Sequence, residues 1–341
     1  MQLAGVTFLD FFSGIGGFRL GLERAGHRCI GFCEKNPFAV RSYRAMYDTK
    51  GEWYAKDITA LSPRDIPQAD IWTAGSPCQD LSLAGQRCGL HGGRSRLFFD
   101  FIGLLKGRAE EDKPGWVILE NVKGLLSSGA GWDFFEYLCA LAEAGYDAGW
   151  EVFNSKDHGV PQNRERVYTV GHLRSRGGGT VLPVTGKDST ASKECMGMIS
   201  GRKAEAARKN KSGAAVPVRN GTKKGYDMAY PGDGISLAYP NSRTRRGRVG
   251  KGCSQTLDTG CQMGTLMEDG RIRRLTPREC FRLQGFPDKL FEKAAAVNSN
   301  AQLYRQAGNA VTVNVAFAVA ALLPAEGKET WGGGKYQDWA D

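Results

Sequence analysis

Long uninterrupted apolar runs are missing from this 341-residue chain. The most apolar stretch, residues 310–323, falls short of the roughly 18 residues that a membrane span requires and carries Asn314 within it, so it predicts a buried helix. Paired cysteine knuckles are missing as well. The nine cysteines (Cys29, Cys33, Cys78, Cys88, Cys139, Cys195, Cys253, Cys261 and Cys280) are odd in number and scattered, which argues against both a zinc site and a disulfide framework. Histidine is scarce: His27, His91, His158 and His172 lie far apart, form no H-E-x-x-H, and give no ground for assigning a metal. Residues 1–10 lack a basic flank followed by a small-residue cleavage site, so the expected location is cytoplasmic and no membrane partner is expected. Apolar residues at 41% and charged residues at 24% lie near globular averages, which excludes collagen-like, low-complexity and wholly disordered classes. The length suits one large domain or two modest ones.

Acidic residues are sparse in one segment only. The formal net charge is +10, yet residues 173–274 carry 20 Lys and Arg against 8 Asp and Glu, and the remainder carries 26 against 28. The whole basic excess therefore lies in about a hundred residues, where Gly177, Gly178 and Gly179 open a stretch of fading hydrophobic periodicity. A solvated insertion would explain the composition. Basic clusters interleaved with Tyr226, Tyr230, Tyr239 and Asn241 favour a nucleic-acid-binding module, because disordered basic tails rarely keep aromatic residues.

Outside that segment the pattern alternates strand and helix. Residues 6–11 read as a strand, a glycine turn follows, a helix covers about 18–25, and a second strand over about 28–32 ends at Glu34. Short apolar runs recur at 71–74, 116–119 and 167–170, separated by helical patterns at about 97–105 and 134–144, with a further helix after Asn36-Pro37. This order predicts an α/β fold with a doubly wound, mostly parallel sheet, in which ligands bind beyond the carboxyl ends of the strands. Asp10, Glu34, Asp57, Gly75 to Gln79 and Glu120 to Val122 all fall at such ends and are expected to line one crevice.

Four motifs carry chemistry. Ser13-Gly14-Ile15-Gly16-Gly17 follows a strand and opens a helix, and Glu34 lies 20 residues beyond Gly14, a distance at which a carboxylate reaches ribose hydroxyls. The glycine spacing is not the G-x-G-x-x-G that seats a pyrophosphate, so an adenosyl cofactor without phosphates fits better than a dinucleotide. Gly75-Ser76-Pro77-Cys78-Gln79 places a cysteine on a rigid turn after a buried strand, as a nucleophile requires, although a lone cysteine is more often core filler. Glu120-Asn121-Val122 supplies a carboxylate at another strand end, and Gln162-Asn163-Arg164-Glu165-Arg166 supplies two cations at alternate positions, hence on one face of a strand. Each could be an ordinary ion-pair partner. Their convergence with Cys78 points to an active site.

Taken in order, these blocks resemble those of the cytosine-5 DNA methyltransferases. The likeness begins with Asp10-Phe11-Phe12-Ser13-Gly14-Ile15-Gly16-Gly17-Phe18 and runs through Glu34, Asp57-Ile58, Pro77-Cys78-Gln79 and Glu120-Asn121-Val122 to Pro161-Gln162-Asn163-Arg164-Glu165-Arg166. It resumes at Arg274 to Cys280 and Gln284-Gly285-Phe286-Pro287 and closes with Gly308-Asn309-Ala310-Val311. Ser13 stands where alanine is common, and Lys35 stands where a large apolar side chain often covers the adenine.

The resemblance implies a Rossmann-like methyltransferase sheet with a second, smaller, mixed and irregular target-recognition domain. The expected division is 1–172 plus 300–330 for catalysis and cofactor, 173–299 for target recognition, and a tail over 331–341. It implies methyl transfer from S-adenosylmethionine to carbon 5 of a flipped-out cytosine in a specific duplex DNA sequence, with Cys78 as covalent nucleophile. Glu120 would act on ring nitrogen 3 and the exocyclic amine, and Arg164 and Arg166 on the carbonyl oxygen. Asp10, Phe12, Ser13, Gly14, Gly16, Gly17, Glu34, Lys35, Asp57, Ile58, Pro77, Leu97, Asn309 and Ala310 would form the cofactor site. Gln79 and Ser82, at the head of a glycine-rich loop, would contact DNA together with Asn241, Arg243, Arg245, Arg246, Arg248, Gln255 and Thr256. Some members of the family methylate transfer RNA, and that substrate is the competing reading. The expected state is a monomer, with a restriction endonuclease of the same system acting without direct contact.

Overall fold

The computed structural model describes residues 6–76, 96–177 and 215–323. At its centre lies a seven-stranded sheet of β1 (Thr7–Phe11), β2 (Arg28–Cys33), β3 (Trp53–Ala55), β4 (Ile71–Ala74), β5 (Trp116–Val122), β6 (Tyr146–Asn154) and β8 (Glu165–Leu173), with the two-residue β7 (Gln162–Asn163) outside it. The order is β3-β2-β1-β4-β5-β8-β6. Pairings from β3 through β5 are parallel, whereas β8 runs antiparallel to both neighbours. The mostly parallel sheet expected from the sequence is therefore present. The reversal of β8 has a functional consequence, because its first residues lie at the rim where the parallel strands end: Arg166 sits opposite Val122 of β5.

The central strands are buried on both faces, which explains their continuous apolar runs. Leu9, Phe11, Trp72, Val117 and Leu119 face one layer, where they meet Phe98, Phe101, Ile102 and Leu105 of α3 (Arg96–Lys106) and Phe134, Tyr137 and Leu141 of α4 (Trp132–Glu143). Phe8, Ile71, Ile118, Tyr168 and Val170 face the opposite layer, where Phe18 and Leu22 pack with Val315, Ala316 and Val319 from a helix near the described C-terminal end. Chain-early and chain-late helices thus share one core. The expected buried helix in 310–323 is found at Val313–Ala320, and among the described residues no helix is long and apolar enough to cross a membrane.

Local signals fix the helix starts. Between β2 and β3, Asn36 caps the helix Pro37–Met46 by accepting the Phe38 N–H at 2.9 Å, and Pro37 fills the first turn where no N–H partner is needed. Thr276 and Glu279 form a reciprocal capping box at the start of Pro277–Leu283, again with proline first. In chain order the helices are α1 (Gly17–Arg24), α2 (Pro37–Met46), α3, α4, α5 (Pro277–Leu283), α6 (Asp288–Ala295), α7 (Asn300–Asn309) and α8 (Val313–Ala320). Val40, Tyr43 and Met46 of α2 share a third core with Cys280, Phe281, Phe291, Leu303 and Ala307 of α5 to α7 and with Leu257, Cys261 and Met263.

In the chain between β8 and α5 lies a smaller β region. It contains β9 (Val216–Arg219) paired antiparallel with β10 (Tyr226–Ala229), and a four-stranded sheet of β11 (Gly234–Ser236), β12 (Val249–Gly250), β14 (Met263–Leu266) and β15 (Ile272–Arg274) in the order β12-β11-β14-β15. The remaining strand, β13 (Ser254–Gln255), pairs parallel with β7 and so joins this region to the chain just before β8. Mixed and irregular describes it well.

Two strands of the large sheet have no counterpart in the sequence expectations. β3 is only three residues long. β6 is a nine-residue edge strand whose Tyr146, Ala148 and Val152 pack on the α3–α4 layer; as an edge it alternates with polar and exposed residues instead of forming an apolar run.

Candidate active site and recognition surface

The glycine turn after β1 is built by close approach. Phe12 and Gly14 take left-handed backbone angles of φ 52° and 55°. Gly17 begins α1 pressed against the turn before α8, so a Cβ there would lie 2.2 Å from the Val311 carbonyl oxygen. Glu34, just past β2, braces the turn: its carboxylate accepts the Gly14 N–H at 2.8 Å and the Asn36 N–H at 2.6 Å. Burial pushes the Glu34 pKa up, and these N–H donors pull it back. Beside it, Lys35 pairs with Asp57 at 2.5 Å and holds that carboxyl below its ordinary range, while Asp57 also caps the short turn at Ile58–Ala60. Leu97 is half-buried and Ile58 buried in the same core.

Asp10 departs from the expected place on the open side of the turn. It is 1% exposed, and its partners are the Thr73 hydroxyl at 3.1 Å and the Tyr43 hydroxyl at 3.4 Å. It therefore supports the turn from behind.

At the far side of the crevice, Glu120 is buried, and Arg166 lies 3.2 Å from its Oε1. No aligned hydrogen bond reaches that oxygen among the described residues. Oε2 lies 4.0 Å from the position a Cβ would take on Gly75, at the end of β4, where the Val311 side chain also approaches to 3.3 Å. Contacts therefore run from the glycine turn through Val311 and Gly75 at the end of β4 to Glu120. Pro77, Cys78, Gln79 and Ser82 lie outside the described residues; the described chain leads towards them from β4 through Ser76.

Arg164 does not share the position of Arg166. It is fully buried, and its guanidinium donates to the carbonyls of Leu257 at 3.3 Å, Gly308 at 3.4 Å and Ala310 at 3.0 Å. Burial and neighbouring Arg166 push its pKa down, while Glu120 pulls it up. It ties the start of β8 to the 308–310 segment, in which Asn309 is exposed and Ala310 buried.

Sequence reasoning assigned no role to a second set of buried polar groups. Gln162 donates to the Leu283 carbonyl at 2.9 Å and accepts the Leu257 N–H at 2.9 Å. Gln284 donates to the Ala307 carbonyl at 2.6 Å and accepts the Thr312 hydroxyl at 2.9 Å, and Thr312 meets Ser155 at 2.9 Å. Both glutamines stand inside the quoted blocks, but only the fold brings them together.

On the recognition side, Asn241, Arg243, Arg245 and Arg246 are exposed on one loop. Gln255 donates to the Gly247 carbonyl at 3.0 Å and accepts from Asn163 at 3.3 Å, and Thr256 donates to the Asn163 carbonyl at 2.8 Å, so both anchor this loop to β7. Arg248 corrects the expectation of a DNA contact. It is 2% exposed, and its guanidinium bonds the carbonyls of Ser236, Ala238 and Tyr239, leaving no face for a phosphate.

The residues at the turn suit an adenosyl cofactor. A braced carboxylate retains free lone pairs at the end of β2, the buried Ser13 hydroxyl oxygen has no hydrogen-bond partner among the described residues, and no pyrophosphate loop is present. Strand order, crevice and turn define the Rossmann-like fold of methyltransferases. Solved structures agree on that fold: the methyltransferase Dnmt2 of S. pombe superposes with a TM-score of 0.58 at 19% identity, covering 93% of this chain and 98% of that one.

The chain belongs to the family of C-5 cytosine-specific DNA methylases, whose model matches residues 6–324, and it is an enzyme of that class. It is 36% identical over 320 residues to the type II methyltransferase M.NlaX of Neisseria lactamica, covering 93% of this chain and 96% of that protein. It is 30% identical over 331 residues to the type II methyltransferase M.HhaI of Haemophilus parahaemolyticus, covering 92% and 93%.

Proposed function

We propose that this protein transfers a methyl group to carbon 5 of a flipped-out cytosine in a specific duplex DNA sequence through a covalent Cys78 adduct. The observation that carries the reading is the buried Glu120 carboxylate, 3.2 Å from Arg166 and beside the end of the strand that leads to Cys78. The family description, C-5 cytosine-specific DNA methylase, supports the substrate class.

Carbon 5 of cytosine is a weak nucleophile. Attack of the Cys78 thiolate on carbon 6 forms an S–C bond and pushes an electron pair towards carbon 5 and the ring nitrogen. Glu120 gives a proton to nitrogen 3 as charge collects there and accepts a hydrogen bond from the exocyclic amine. Arg166 holds the carbonyl oxygen and, as a neighbouring cation, favours the thiolate. S-adenosylmethionine, when bound between the glycine turn, Glu34 and Asn309, supplies the methyl group. A base from solvent takes the carbon 5 proton, the electron pair left behind breaks the S–C bond and releases Cys78 as thiolate, and nitrogen 3 returns its proton to Glu120. The reacting carbons are inaccessible in a stacked duplex, so the base must leave the helix first.

Duplex carrying 5-fluorocytosine tests the reading, because fluorine cannot leave as the proton does. The native chain should form an adduct stable to denaturation, and Cys78→Ala should form none while still binding the duplex. Methylated duplex without a trapped adduct would overturn the nucleophile assignment. Methyl transfer to transfer RNA but not to duplex DNA would replace the substrate.

A further inference from the structure

We propose that Tyr239 is a DNA-contacting residue, its ring laid against a base or sugar of the duplex, and that the buried Arg248 is the positioning residue that holds it out. The inference rests on the reading of this chain as a DNA methyltransferase.

Tyr239 is 73% exposed, the most exposed of the described large apolar side chains, and its backbone is left-handed at φ 49°. A bulky residue rarely adopts that conformation, and it persists only where the surroundings enforce it. Here the enforcement is visible. Arg248 donates to the Ala238 carbonyl at 3.1 Å, to the Ser236 carbonyl at 3.5 Å and to the Tyr239 carbonyl itself, so one buried fork fixes the chain from β11 up to the tyrosine. The Ser242 N–H closes the turn onto the same Tyr239 carbonyl at 3.0 Å. The ring thus projects from a rigid base, and the loop's order does not depend on it.

Its surroundings identify the partner. The Arg245 guanidinium lies 5.5 Å from the Tyr239 ring centroid. The tip of the β9–β10 hairpin packs on the same loop: Gly221 donates to the Arg245 carbonyl at 2.7 Å, Arg246 donates to the Gly221 carbonyl at 2.9 Å, and Arg219 reaches the Asn241 carbonyl at 3.4 Å. A Cβ on Gly221 would lie 2.4 Å from the Thr244 oxygen, so the two segments touch as closely as glycine allows. Arg219 of the hairpin thus reaches the loop that carries the exposed Arg243, Arg245 and Arg246, with Arg245 beside the ring; the hairpin tip adds the exposed Lys223 and Lys224, and residues 239–250 contain no carboxylate. Trp132 is nearly as exposed, at 71%, but it is followed by Asp133 and stands apart from these cations. An exposed aromatic ring framed by cations has the chemistry of a nucleic-acid contact, the cations meeting phosphates and the ring meeting a base or sugar.

Salt dependence separates the roles. Binding of a duplex containing the methylated site is measured against salt for the native chain and for Tyr239→Ala, Tyr239→Phe, Arg248→Lys and Arg245→Ala, with thermal melting as the control for folding. Tyr239→Ala should weaken binding about five- to a hundredfold without changing the salt slope, because a stacked ring displaces no counterion. Tyr239→Phe should remain within about twofold of native. Arg248→Lys keeps the charge but cannot bond three carbonyls at once, and should lose affinity as Tyr239→Ala does, again at constant slope. Arg245→Ala should lower the slope by about one. Native affinity in Tyr239→Ala would overturn the contact, and native affinity in Arg248→Lys would overturn the positioning role. A native chain that binds duplex without methylating it would overturn the proposed function and leave this inference standing; one that binds no duplex would overturn both.

Discussion

The doubly wound half and the small β region achieve order by different means. In the first, two clusters of large apolar side chains cover the strands on both faces, with Trp72, Phe11, Phe101 and Tyr137 all essentially inaccessible, while a third joins its helices to Leu257, Cys261 and Met263 of the small region. In the second, the apolar cluster contains only Ala229, Ile235 and Leu266 as fully buried members, and buried polar groups complete the structure. Asp233 accepts the N–H groups of Tyr230 and Gly252, and Arg248 gathers three carbonyls. A dense apolar core fixes positions to fractions of an ångström, which bond-making chemistry requires. A region held by turns and a few buried hydrogen bonds can change its exposed side chains with little effect on the rest.

The largest expected effect separates rate from recognition. Glu120→Gln preserves shape but cannot give up a proton as an acid does, so kcat should fall by roughly 10² to 10⁴ while duplex affinity and the methylated sequence stay unchanged. Single-turnover assays and bisulfite sequencing would check both, and an altered sequence preference would break the division. Next comes stability. Phe101→Ala opens a cavity between the sheet and α3 and should cost about 3 to 5 kcal/mol, whereas Ile235→Ala in the small cluster should cost at the lower end of about 2 to 5 kcal/mol. Hydrogen exchange supplies the sharper test: Ile235→Ala should speed exchange in β11 and β14 while β1 and β4 keep native protection. Equal acceleration in both sheets would mean that the two regions unfold as one.

The same contrast explains what was legible in the sequence. Strands buried on two faces write themselves as apolar runs, so β1, β4 and β5 could be read directly, and the 20-residue interval from Gly14 to Glu34 returns as a hydrogen bond of 2.8 Å. β6 was illegible because an edge strand presents one covered face, and its polar and exposed residues mask the alternation. The antiparallel course of β8 could not be read either, since periodicity carries no direction. Arg248 misled for a related reason: within a run of exposed arginines it differs from them only in where the fold places it. The separation of Arg164 from Arg166 has the same origin, as their alternate spacing suggested one shared face.

A smaller effect concerns the cofactor turn. On the proposed reading, in which Glu34 accepts a hydrogen bond from the ribose, Glu34→Ala should weaken S-adenosylmethionine binding by about 1.5 to 3 kcal/mol in calorimetry. Glu34→Gln, which can still accept the Gly14 N–H, should lie between native and alanine. Unchanged affinity in both variants would remove Glu34 from the cofactor site.

The last expected effect lies beneath that turn and is set by pH. Asp10 is buried in the sheet half, where desolvation lifts its pKa to about 8 despite the Thr73 hydroxyl and the nearby Arg19, with Glu34 adding to the rise. In the unfolded chain the carboxyl returns to its ordinary value of 3.8. Between these limits the folded protein holds one proton more than the unfolded chain, so this group's stabilising contribution is complete below the lower value and is lost as pH rises through the upper one. The slope is at most about 1.4 kcal/mol per pH unit. Asparagine has nearly the same shape and does not titrate. Urea unfolding of Asp10→Asn from pH 5 to pH 8 should therefore show stability close to native at pH 5 and a progressive gain over native towards pH 8, since slopes from all other groups cancel in the difference. Because Asp10 bonds only to β4 and α2, the gain should appear in exchange protection of β1 and β4 and leave β11 and β14 unchanged. Parallel stability curves for the two proteins would show that Asp10 is ionised in the fold, with Arg19 outweighing burial.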